Sequence, residues 1–206
     1  MNLNQKREMI LRSARQEIAR YGITAFRVEE IARIRVMSKR TIYRIFPTKS
    51  DLLRDCILWM GLQVKGKIAL FLKGEQEDPM KAVLELLEEY INDLYNVEGI
   101  FLKELKQSVE HKKVYLEIRE RWYDALTKLL EKCEQKGYIL ADIQFFPVSE
   151  RLLTTLFESR VEEEPPRVQQ MLFCRTVLRG IATQTGMIAM EEKHSDFSTE
   201  NESCYS

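Results

Sequence analysis

A chain of 206 residues, 45% of them apolar and 31% charged, has enough of both for one large or two small globular domains, which excludes a fibrous or wholly disordered chain. Lys plus Arg equals Asp plus Glu at 32 each, but the charges are not evenly spread: residues 1–54 carry 13 basic and 5 acidic side chains, leaving 19 and 27 for the rest. A basic stretch joined to an acidic one points to a polyanionic partner for the first.

Gly and Pro are scarce, at 8 and 5, and nearly every segment repeats its apolar residues at helical period. Ile10, Leu11, Ala14, Ile18 and Ala19 mark a first helix over about 4–20, which Gly22 would end in a left-handed conformation. Val28, Ile31 and Ala32 mark a short second helix. Ser38 is a good N-cap for a third, about 39–45, which Pro47 stops by removing a donor and constraining Phe46. Thr48 with Asp51 resembles a capping box that opens a long fourth helix, with Leu52, Leu53, Cys56, Ile57, Met60 and Val64 on its inner stripe. Beyond the break at Gly74 to Pro79, helices are expected over about 80–96, 100–109, 112–136 (ending at Gly137), 148–160 and 167–190. "YILADIQFF" is the weakest segment to assign. The polar end, 191–206, is expected to be disordered.

The segment Met37 to Leu53, "MSKRTIYRIFPTKSDLL", concentrates positive charge in a partly apolar stretch. On a helical wheel Ile42, Ile45 and Phe46 point one way. Arg40 and Arg44 lie opposite, flanked by Lys39, Thr41 and Tyr43. Three short helices with a tight link before the third describe a helix-turn-helix, and a helix apolar inside and basic outside fits the major groove of duplex DNA. Ser38, Thr41, Tyr43 and Lys49 can take phosphate oxygens, which orient without reading sequence. Arg40, Thr41 and Arg44 could reach base edges, where a bidentate Arg–guanine pair gives roughly 1–3 kcal/mol of discrimination.

These residues resemble the DNA-binding domain of the tetracycline-repressor (TetR) family of bacterial transcriptional regulators. The likeness runs through Ile10, Leu11 and Ala14, then Gly22 and Ile31-Ala32. It is densest at Ser38, Thr41, Ile42, Tyr43, Phe46, Thr48, Lys49 and Leu52. "LRGIAT", Leu178 to Thr183, is similar to the last helix of many members. The strong match covers about a quarter of the chain. Two positions depart from the family pattern. Val36 stands where the turn commonly has Gly, which implies either a strained left-handed residue or a turn of another shape. Arg27 stands where Ser or Thr usually caps the second helix, forgoing roughly 1 kcal/mol unless it meets a phosphate instead.

The resemblance implies an all-α fold: a helix-turn-helix domain over 1–48, joined by the fourth helix to a helical regulatory domain over 49–190, with the tail 191–206. It also implies a homodimer on a palindromic operator, since paired half-sites one turn apart, about 34 Å, aid affinity and specificity. Implied too is release by a small effector whose preference between two arrangements, roughly 10⁴-fold for a near-complete switch, moves the recognition helices. The last two helices are expected to form the dimer interface, with Leu152, Leu156, Leu178 and Ile181 as candidates. An apolar or aromatic effector is expected near Tyr90, Tyr95, Phe101, Trp122 and Tyr123.

Other chemistry finds little support. Cys56, Cys133, Cys174 and Cys204 are far apart and the only histidines are His111 and His194, so neither structural zinc nor any cofactor is expected. His111 reads as a surface or turn residue rather than a ligand. No metalloprotease motif or Gly-rich phosphate loop occurs, which argues against an enzyme. The start, "MNLNQKREM", lacks an apolar leader core and no apolar run approaches ~18 residues, so a cytoplasmic protein with reduced thiols and no membrane partner is expected. The remaining alternative is a helical protein-interaction module whose basic region binds no DNA.

Overall fold

The computed structural model describes residues 2–74 and 77–191. Among them the fold is all-α, as expected, with helices α1 Leu3–Ala25, α2 Val28–Ile34, α3 Lys39–Ile45, α4 Lys49–Lys73, α5 Pro79–Tyr95, α6 Gly99–Gln107, α7 Lys112–Gln135, α8 Phe145–Glu162, α9 Arg167–Ile181 and α10 Gln184–Glu191. Beyond Glu191, the tail expected to be disordered lies outside the described residues, as do His194 and Cys204. No helix among those described is long and apolar enough to cross a membrane.

Two compact units divide the chain. The first comprises Met1–Leu70, Asp93–Arg121 and Ser159–Glu164. Its α1 opens on a capping box, in which the Asn2 side chain accepts from the Gln5 N–H and the Gln5 side chain accepts in return. Ile10, Leu11, Ala14 and Ile18 are buried with Phe26, Val28, Ile31, Ile42, Phe46, Leu52, Leu53, Cys56 and Ile57, so α1 to α4 share one small core. The first helix does not stop before Gly22. Gly22 breaks it at φ 86°, and one more turn follows to Ala25. That turn begins with N–H groups that have no helical partner, and the Glu104 carboxylate of α6 accepts from Ile23 N–H and Thr24 N–H. A Cβ at residue 22 would stand 2.6 Å from Glu104 Oε2, so only glycine admits this approach. The backbone N–H of Glu98 adds a bond to the Ala19 carbonyl at 2.7 Å. Elsewhere in this unit Arg160 is buried: it donates to Glu164 at 2.8 Å and to the Val97 carbonyl at 3.0 Å, and lies over the Tyr95 ring. His111 sits in the turn before α7, but it is buried rather than at the surface.

The second unit comprises Phe71–Asn92, Trp122–Glu158 and Pro165–Ser206. Its core takes Val83, Leu84, Leu87, Leu126, Leu129, Leu130, Leu153 and Leu178. α7 ends in a Schellman motif with Gly137 at φ 73°: Gly137 N–H bonds to the Glu134 carbonyl and Tyr138 N–H to that of Cys133. The single helix expected over 167–190 is two. Ala182 is extended and bridges Ile139, with Leu140 N–H bonded to the Ile181 carbonyl and Thr183 N–H to that of Tyr138. Thr183 then opens α10, its hydroxyl oxygen accepting from Gly186 N–H at 3.2 Å.

Candidate nucleic-acid interface

The helix-turn-helix is built from local chemistry. Arg27 occupies the N-cap of α2 with extended backbone and makes no side-chain cap bond, so it remains an exposed cation. α2 ends in a second Schellman motif: Val36 N–H bonds to the Arg33 carbonyl at 3.3 Å and Met37 N–H to the Ala32 carbonyl at 2.9 Å. Here the left-handed residue is Val36, at φ 49° and 93% exposed. The turn therefore keeps the shape that glycine serves and places a β-branched side chain in it, at a cost of roughly 1–2 kcal/mol. Beside it, the Arg35 guanidinium donates to the Ser13 hydroxyl of α1, and Ser13 is fully buried.

α3 starts at Ser38, whose hydroxyl oxygen accepts from Thr41 N–H at 3.1 Å. The two hydroxyls also lie 2.9 Å apart. Ile42 and Phe46 are buried and Ile45 half-buried, while Lys39, Arg40, Tyr43 and Arg44 are exposed. Arg40 and Arg44 form no ion pair among the described residues. Lys39 does: its Nζ donates to Glu29 Oε1 of α2 at 2.8 Å. That bond holds the Glu29 carboxyl below its ordinary range and raises the Lys39 ammonium. At the start of α4, Thr48 and Asp51 exchange bonds, Thr48 N–H to the carboxylate and Asp51 N–H to the hydroxyl oxygen, and the Thr48 hydroxyl holds the Asp51 carboxyl down ahead of Arg54. Lys49 is exposed, with its Nζ 5.8 Å from the Phe26 ring centre.

The eight sequence-derived candidates for DNA contact thus fall in one continuous stretch, Arg27 to Lys49, and all are exposed except half-buried Thr41. Sequence reading missed Ser13, Glu29, Arg35 and Glu104. Their partners lie 22, 10, 22 and about 80 residues away, so no local spacing announces them.

The aromatic candidates separate. Tyr90 and Trp122 pack edge to face at 5.2 Å in the second unit, where the Tyr90 hydroxyl donates to the Leu153 carbonyl. Tyr123 shares a bond with the Thr154 hydroxyl at 2.8 Å and meets Phe146 edge-on. Tyr95 and Phe101 belong to the first unit, Tyr95 beneath Arg160 and Phe101 buried in α6. Of the interface candidates, Leu152, Leu156 and Leu178 are fully or almost fully buried within their own unit, and Ile181 is half-buried. The first three therefore fill the core. The apolar side chains that α9 and α10 turn outward are Val168, Leu172, Phe173, Met187 and Ile188.

Residues 10–56 match the model for bacterial regulatory proteins of the tetR family. Over that segment, about a quarter of the chain, it is similar to the TetR family. Solved structures agree on the fold. A transcriptional regulator of the family from Agrobacterium tumefaciens superposes with a TM-score of 0.68 at 22% identity, covering 88% of this chain and 100% of that one. A TetR transcription regulator from Haloarcula marismortui gives 0.73 at 15%, with 88% and 100% covered. The reduced form of Escherichia coli NemR gives 0.71 at 11%, with 87% and 97% covered. No curated protein matches the chain.

Proposed function

We propose that this chain is a TetR-family transcriptional repressor that reads a palindromic operator as a homodimer and releases it when a small effector binds. One observation carries the reading. Ile42 and Phe46 anchor α3 in the core while Arg40, Tyr43 and Arg44 stand exposed, with neither arginine in an ion pair among the described residues. Guanidinium groups so held suit guanine edges in the major groove. Arg27, Ser38, Thr41, Tyr43 and Lys49 supply phosphate contacts that fix the register.

The outward apolar side chains of α9 and α10 support self-association, because apolar groups so exposed gain by covering one another. Tyr90, Trp122 and Tyr123 are the proposed seat of an apolar or aromatic effector, which ring edges and faces can hold.

Selecting bound sequences from a random duplex pool tests the reading. A palindromic consensus is expected, with Arg40→Ala relaxing the preference at one position of each half-site and Lys49→Ala weakening all sequences alike. Failure to enrich any sequence, or enrichment of an unpaired motif alone, would count against it.

A further inference from the structure

The helix-turn-helix carries two acidic side chains on α2, and they are used differently. Glu30 takes Arg33 one turn along its own helix at 3.0 Å. Glu29 reaches out of α2 to Lys39, the first residue of α3, at 2.8 Å. Arg27 adds a second cation that favours the Glu29 charge. Both side chains of the Glu29–Lys39 pair are about half-exposed, at 56% and 54%, so the pair stands in water where an approaching polyanion can compete for it. Among the cations of α3, Lys39 alone is neutralised within the described residues, whereas Arg40 and Arg44 are left for outside partners.

A phosphate backbone attracts Lys39 and repels Glu29. If the pair survives in the complex, Lys39 brings no charge to the phosphates. If the pair breaks, a carboxylate is left beside the polyanion. Both outcomes subtract from the electrostatic part of binding, which is the same for every sequence. Neither touches the base contacts that discriminate. We infer that Glu29 is an affinity-setting residue of the DNA interface, withholding Lys39 from the phosphates so that binding to random sequence and to the operator is weakened alike.

This rests on the DNA-binding reading above, and the experiment separates the two. The full chain and its Glu29→Gln, Lys39→Met and double variants are titrated, at several NaCl concentrations, against a labelled random duplex and against the selected palindrome. Glu29→Gln is expected to tighten binding to both duplexes by the same several-fold factor, to steepen the slope of log K against log salt by about 0.9 per engaged protomer, and to leave the ratio of the two Kd values unchanged. Lys39→Met is expected to remove more slope in the Glu29→Gln background than in the parent. An unchanged slope on Glu29→Gln, or an equal loss on Lys39→Met in both backgrounds, overturns the inference while leaving DNA binding intact. A folded parent chain that shows no salt-dependent binding to either duplex overturns the DNA-binding reading and this inference with it. Both residues are exposed, so none of these variants removes a core contact.

Discussion

At the scale of single residues, the chain contains its own control for the anomaly at Val36. Gly137 and Val36 occupy the same place in two Schellman motifs with the same pair of backbone bonds, at φ 73° and 49°. Val36 is 93% exposed, so its side chain contributes almost no burial to weigh against the strain. Replacing it by glycine removes roughly 1–2 kcal/mol of left-handed penalty and restores about 0.4–1 kcal/mol of unfolded-state freedom. Val36→Gly should therefore raise the urea midpoint by the equivalent of about 0.5–1 kcal/mol. Gly137→Ala should lower it by a similar amount, since a Cβ there meets nothing within 4 Å and only the backbone objects. A midpoint that fell on Val36→Gly would show that the turn is not strained. The anomaly was legible in sequence because glycine's use in such turns is a local rule, and the structure settles the choice between a strained residue and a different turn. His111 reads as a surface or turn residue, and the structure keeps it in a turn but buries it. Burial pushes its imidazole below the ordinary 6.5, opposed only in part by Glu110. The unfolded chain then binds the proton first. Stability is full above about 6.5 and is lost as pH falls from there toward the depressed native value. Thermal melts between pH 8 and 5 should show this decline, and His111→Gln should flatten it.

At the scale of elements, the accuracy of sequence reading follows how local each boundary is. α3 spans Lys39–Ile45 as expected, because its start is the Ser38 hydroxyl and its stop is Pro47. Thr48 and Asp51 likewise announce α4 from three residues apart. The misjudged boundaries are set at long range. The extra turn of α1 persists because Glu104, some 80 residues away, accepts its first N–H groups. The last helix is interrupted, with helical spacing on both sides, because Tyr138 to Leu140 pairs with Ile181 to Thr183. Glu104 and Gly22 are two halves of one contact, which makes a sharp test. Glu104→Ala strands two backbone donors that had a charged acceptor and should cost about 1.5–3 kcal/mol, with Glu104→Gln costing less because it keeps an oxygen. Gly22→Ala meets both the strained φ and the 2.6 Å approach to the carboxylate. In Glu104→Ala the obstructing oxygen is gone, so the double variant should lose less than the sum of the two singles in urea titrations. Strict additivity would mean that the carboxylate does not fill the space beside Gly22.

At the scale of the molecule, the uneven charge and the outward apolar side chains belong to one argument. Thirteen basic against five acidic side chains up to residue 54 suit a polyanion, and in the proposed function one helix-turn-helix, which touches few base pairs, is joined by a second copy. For that second copy the family resemblance points to the last two helices, and three of the four candidate residues named there face inward. Helical period marks apolar stripes without distinguishing a stripe that meets its own core from one that meets a partner. Leu152, Leu156 and Leu178 meet the core, whereas Leu172 is 57% exposed and Phe173 is 40% exposed on α9. The two classes should fail differently. Leu156→Ala removes buried methyl groups and should cost about 2–5 kcal/mol of stability. Leu172→Glu adds a charge at an exposed site, so it should melt within a few degrees of the parent yet sediment as a monomer at micromolar concentration, because an apolar interface cannot accept two facing carboxylates without desolvating them. Its affinity for a full palindrome should fall to that for an isolated half-site, while its salt slope should roughly halve as one set of phosphate contacts is lost. A Leu172→Glu chain that stayed dimeric, with an unaltered slope, would place the self-association surface elsewhere and detach the palindrome from α9.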